Sequence, residues 1–118
     1  MSNEKAGKRL VLLNTSIISN YGSYEYWAIT LDDARALAQE FLHAGKSIES
    51  AIGHQSTADL LSVLLNHHVP LNRTEFKQSA GDLALVFKLK QRPPEGKVLD
   101  RDEIEAIGYE FALLRRTT

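Results

Sequence analysis

YEYWAITLDDARALAQEFLHAG, residues 24–45, holds the change of hydrophobic period that decides the fold. Tyr24–Ile29 is rich in aromatic residues and reads as a strand. Thr30 then fits a helix N-cap, with Asp33 three residues on to complete a capping box. Leu31, Ala34, Leu37, Ala38, Phe41 and Leu42 follow at helical spacing, and Gly45 is a natural stop. A strand that hands over directly to an amphipathic helix predicts a sheet with a helix packed on it. Tyr24, Tyr26 and Trp27 read as strand packing before they read as a stacking platform for bases.

Working outward, Arg9–Leu13 is a short apolar strand ending at Asn14. Downstream, Ser47–Ile52 reads as a short strand leading to Gly53. Ser56 and Asp59 suggest a capping box for a second helix, whose stripe is Leu60, Leu61, Leu64 and Leu65. Asn72–Lys77 and Leu83–Lys90 read as two strands joined by Ser79-Ala80-Gly81-Asp82, a hairpin signal, with Leu83, Leu85, Phe87 and Leu89 on one face. Pro93-Pro94 forbids regular structure after Lys90. Asp100 and Glu103 can cap a short helix, and Tyr109–Leu114 reads as the last strand. Hairpin and crossover connections together predict an α+β fold. The expected architecture is one small domain over residues 1–118, a mixed sheet of about five strands with flanking helices. The polar residues Met1–Lys8 read as a frayed end.

Composition narrows the function. A chain of 118 residues with 43% hydrophobic and 25% charged residues can bury a core. Without cysteine there is no disulfide, no thiol nucleophile and no thiolate zinc site, which is compatible with a reducing cytoplasm. Leu10–Leu13 is too short for a signal peptide, and no apolar run is long enough to span a membrane, so no membrane partner is expected. A net charge of −1 argues against a broad electrostatic grip on duplex DNA. A compact anion remains possible where positive groups converge.

Two stretches could carry chemistry. Ala51-Ile52-Gly53-His54-Gln55-Ser56-Thr57 sets a glycine, suited to a sharp turn or to close approach of a ligand, and a histidine just before a helix. The free amides of a helix start favour a phosphate, and a histidine there can protonate a leaving oxygen near neutral pH. The same residues also suit a plain loop leading into a helix. Gln91-Arg92-Pro93-Pro94-Glu95-Gly96-Lys97 carries Arg92 and Lys97 beside Glu95 after a strand. Arginine's fork matches phosphate oxygens, and a glutamate can orient a ribose hydroxyl or take its proton. A solvated charged turn would look the same. Asn14, Thr15 and Ser16 end the first strand, where polar side chains contact ligands or only turn the chain. His67-His68 resembles a metal pair, yet no third ligand has a sensible spacing, so no metal or other cofactor is expected.

Taken in order, Ala51–Thr57, Asn72-Arg73, Gln91-Arg92 and Glu95-Gly96-Lys97-Val98-Leu99 resemble the motifs of the viral anti-CRISPR ring nucleases, a family of archaeal viruses, phages, mobile elements and bacteria. The resemblance runs from about Leu10 to the C-terminal strand. It implies a cytoplasmic homodimer that degrades cyclic tetra-adenylate and so silences type III CRISPR defence. His54 would be the catalytic histidine, Arg92 the active-site arginine and Glu95 the active-site glutamate. Asn14, Ser16, Gly53, Gln55, Ser56, Thr57, Gln91 and Lys97 would contact the ligand. Pro93-Pro94 and Gln55 depart from the family pattern, Gln55 standing where many members carry an acid, and the family's serine near the first strand aligns loosely with Ser16. The implied reaction is attack by a ribose 2′-hydroxyl on its own phosphate, giving linear di-adenylates with 2′,3′-cyclic phosphates. Two rivals predict something else: a sponge that binds the messenger without turnover, and a structural or DNA-binding viral protein.

Overall fold

Leu10–Leu13 (β1) is buried along its whole length, as an interior strand must be. It pairs in parallel with Ile48–Ser50 (β3) on one side and with Leu83–Leu89 (β4) on the other. Tyr109–Arg116 (β5) then runs antiparallel to β4, and Tyr24–Ile29 (β2) antiparallel to β5. The sheet is five-stranded and mixed, in the order β2-β5-β4-β1-β3. The computed structural model describes residues 9–16, 18, 20–92 and 99–118. The frayed end expected at residues 1–8 and the break expected at Pro93-Pro94 lie outside the described residues.

Three helices complete the fold: Leu31–His43 (α1), Gln55–Leu65 (α2) and Arg101–Ile107 (α3). Both capping boxes expected at helix starts outside the candidate site are present. Thr30 accepts from the Asp33 amide and Asp100 from the Glu103 amide, and each partner side chain returns the bond. Such a box satisfies two amides that a helix start leaves unpaired, each cap contributing about 1 kcal/mol. The helices bring Ala34, Phe41, Ala58, Leu61, Leu64 and Ile104 against Leu10, Leu12, Leu83, Leu85, Phe87 and Phe111 on one face of the sheet. None of the helices is long and apolar enough to cross a membrane, among the described residues.

The other face carries a smaller cluster of Val11, Leu13, Ala84, Val86 and Leu114, with Phe76 packed on it. Here the structure corrects the expected hairpin. Residues 72–77 form no strand, and β4 takes β5 as its antiparallel neighbour. The physical reason is that both edges of β4 are occupied, by β1 and β5. The segment is anchored at its two ends instead. The Asn72 amide donates to Ile52 O at 2.9 Å and its side chain to Ser50 O at 2.7 Å. The buried Gln78 side chain donates to Asp82 O and Leu114 O. Ser79–Asp82 does turn, closed by Asp82, but it leads into β4 from irregular chain.

Candidate functional site

Three parallel strands start at one end of the sheet and stop at the other, and polar residues gather where they stop. Past β1 come Asn14 and Thr15; past β3, Ala51–His54; past β4, Lys90–Arg92. Ligands of open sheets with parallel strands commonly bind at the carboxyl ends of those strands.

Burial fixes how His54 reaches this edge. Ile52 is wholly buried and holds the chain in the core, and the Ala51 amide donates to Leu12 O at 2.9 Å. Thr57 and Ala58 are buried too, so the first turn of α2 is pinned to the sheet. His54 lies between these anchors, exposed, with extended backbone at φ −128° and ψ 128°. It is itself the N-cap of α2: the Ala58 amide donates to His54 O, and the imidazole makes no capping bond. This corrects the expected cap at Ser56. The burial of Thr57 and Ala58 draws the helix start forward, leaving Ser56 inside the first turn, and Asp59 accepts from the Gln55 side chain at 2.8 Å. Gly53 is also corrected in part. It does not adopt a left-handed conformation, and a Cβ there would meet only the Arg73 stem, at 3.6 Å.

Two hollows open on either side of His54. The larger, about 780 Å³, is lined by Leu13, Asn14, Thr15, Ala51, Gly53, His54 and the segment Arg73–Phe76. The smaller, about 350 Å³, is lined by His54, Ser56, Thr57, Leu89, Lys90, Gln91 and Arg92. The structure therefore brings His54 and Arg92 to one hollow, with Ser56, Thr57 and Gln91. Asn14 and Gly53 lie in the other, also beside His54. Ser16 is half-buried and lines neither, and Gln55 is turned to Asp59. Glu95 and Lys97 lie outside the described residues. No three His, Asp or Glu side chains are grouped to hold a cation, among the described residues.

Arg73 is one residue that sequence reasoning left out of the site. Its Nε donates to Gly53 O at 2.9 Å, so its guanidinium is tied to the lining of the larger hollow. Reading residues 72–77 as a strand hid it, although Asn72-Arg73 stood out as a motif. Lys90, which lines the smaller hollow, was missed because it ends a strand pattern and looks like ordinary solvated charge.

Comparison with known proteins bears on the whole chain. Residues 10–111 match the sequence model of the STIV B116-like family. The uncharacterized protein ORF117 of Acidianus two-tailed virus is 37% identical over 111 residues, covering 91% of this chain and 92% of that one. The uncharacterized protein YddF of Bacillus subtilis (strain 168) is 34% identical over 107 residues, covering 91% and 96%. Among solved structures, B116 of Sulfolobus turreted icosahedral virus superposes with a TM-score of 0.78 at 28% identity, covering 93% of this chain and all of that one.

Proposed function

The chain belongs to the STIV B116-like family, and from that premise we propose that it is a ring nuclease that binds cyclic tetra-adenylate and cuts it to linear di-adenylates, shutting off type III CRISPR signalling. The observation that carries this reading is the shared hollow of His54 and Arg92 beside the first turn of α2. A proton donor, a guanidinium and a helix start around one space suit a phosphodiester.

In the proposed reaction the 2′-hydroxyl oxygen attacks the adjacent phosphorus and the bond from phosphorus to the 5′-oxygen breaks. His54, protonated, gives its proton to the departing 5′-oxygen. Arg92 stabilises the negative charge that grows on the phosphorane. Glu95, the active-site glutamate by resemblance, takes the proton of the 2′-hydroxyl, as a carboxylate can. The nucleophile is part of the substrate, so the protein chiefly holds it in line with the leaving oxygen, and no metal-bound hydroxide is required. Arg73, Asn14 and Thr15 in the larger hollow suit the neighbouring nucleotide.

The working unit proposed is a homodimer with one ring across its two-fold axis. A four-phosphate ring is a heavy load for one chain of net charge −1, and pairing doubles the cations and sets a second His54 at the opposite phosphate. The test is to incubate the protein with cyclic oligoadenylates of several ring sizes, with and without EDTA, and separate the products. Di-adenylates bearing 2′,3′-cyclic phosphates should form in both samples. Binding without turnover would make the protein a sponge.

A further inference from the structure

Resting on the ring-nuclease reading, the geometry points to Lys90 as a further ligand-binding residue, one that holds a phosphate of the ring without taking part in the bond-breaking step. Lys90 lines the smaller hollow together with His54 and Arg92. Its backbone is fixed, because its amide donates to Gly108 O at 3.0 Å where β5 is about to begin. Its side chain is exposed, and its stem passes close over Gly108. A Cβ built on Gly108 would lie 3.0 Å from Lys90 Cδ, 3.5 Å from Cβ and 3.6 Å from Cγ. Gly108 has φ +83°, a conformation side chains rarely adopt, so a residue without a side chain stands where the lysine stem needs a track.

Lys90 differs in this from Lys88 on β4. The ammonium of Lys88 lies over the Tyr26 ring, 5.6 Å from its centroid, and is engaged within the fold. No carboxylate pairs with Lys90 among the described residues. Two cationic residues, Lys90 and Arg92, lining one hollow suit a polyanion. As a point charge without the directed fork of arginine, it attracts a phosphate about equally before and during the reaction. Such uniform binding lowers the dissociation constant and leaves the rate of the bound complex alone.

The test compares wild type, Lys90→Met and Lys90→Arg. The methionine keeps a stem on the Gly108 track and drops the charge; the arginine restores it. Cyclic tetra-adenylate affinity is titrated over a range of salt, and cleavage is followed in single turnover at saturating protein. Lys90→Met should bind about tenfold more weakly. Its plot of log affinity against log salt should be shallower by about 0.7–1, one phosphate contact fewer. Its saturated cleavage rate should match wild type, and Lys90→Arg should recover both affinity and slope. A Lys90→Met protein that binds with wild-type affinity and slope overturns the assignment while leaving the ring-nuclease reading intact. Wild type that fails to bind the ring overturns that reading, and this one with it.

Discussion

Where β1 and β4 begin, Arg9, Asp82, Gln78 and Arg116 are linked by hydrogen bonds; where the same strands stop, His54, Arg73, Lys90 and Arg92 border open hollows. At the first end Asp82, nearly inaccessible, accepts from Arg9 at 3.0–3.1 Å and from the Ser79 amide at 2.8 Å. Arg9 reaches on to Glu49, and these carboxylates, Asp82 first, raise its pKa. The Arg116 guanidinium donates to Gln78 O and Tyr21 O. Arg116 Nε is buried without a partner, but the bonds around it tie the irregular segment 71–82 to the sheet. At the other end the imidazole of His54 makes no capping bond, and Arg92 is exposed. Polar residues bonded to one another hold a fold together; polar residues left facing a hollow are available to a ligand.

The largest effect should come at the open end and touch activity alone. His54→Ala should lower single-turnover cleavage by about 10²–10⁴-fold. Ring binding should stay largely intact, because a general acid acts in the transition state. Since His54 is exposed, unfolding free energy should move by no more than about 0.5 kcal/mol. Unchanged cleavage would remove His54 from the mechanism.

The locked end should show the reverse. Asp82→Ala strips Arg9 and the Ser79 amide of their shared acceptor, and should cost about 2–3 kcal/mol in urea unfolding. Cleavage per folded molecule should stay within about twofold of wild type, as exchanges remote from a site usually act independently of it. A loss of activity matching that of His54→Ala would show that the two ends are not separable.

The smallest effect sharpens the comparison on the helix side. Tyr109 donates to Glu105, and this bond first, then Arg101, holds the Glu105 carboxyl below its usual range. A lowered folded-state pKa means stability that is present above the unfolded value of about 4.3 and lost as pH falls through the folded one. Tyr109→Phe keeps the ring on Phe87 and Phe111 and removes the bond. The variant should therefore lose less stability than wild type between about pH 5 and 3, by a few tenths of a kcal/mol for so exposed a carboxyl. Melting curves across that range that run parallel for both proteins would exclude the effect.

Local chemistry was legible in the sequence and long-range competition was not. Thr30 with Asp33 and Asp100 with Glu103 name their own helix starts, and Tyr24–Ile29 is a strand from its first residue to its last. Residues 72–77 stand before a hairpin signal, but whether they become a strand depends on a free sheet edge, and β1 and β5 occupy both sides of β4. Ser56 looks like a cap until the burial of Thr57 and Ala58 moves the helix start to His54. In the site, His54 and Arg92 were each recognisable, whereas the track that Gly108 leaves for Lys90 joins residues from the ends of different elements. Arg73 became visible only once its segment was seen to cross the sheet and bond to Gly53.

The most direct measurement sets cyclic tetra-adenylate beside the same ring made with 2′-deoxyribose, each with wild-type protein in single turnover. If the substrate's own hydroxyl is the nucleophile, the ribose ring is cut to di-adenylates ending in 2′,3′-cyclic phosphate, and the deoxy ring binds but is recovered whole. Cleavage of the deoxy ring at a comparable rate, or a ribose ring left intact, would contradict that mechanism.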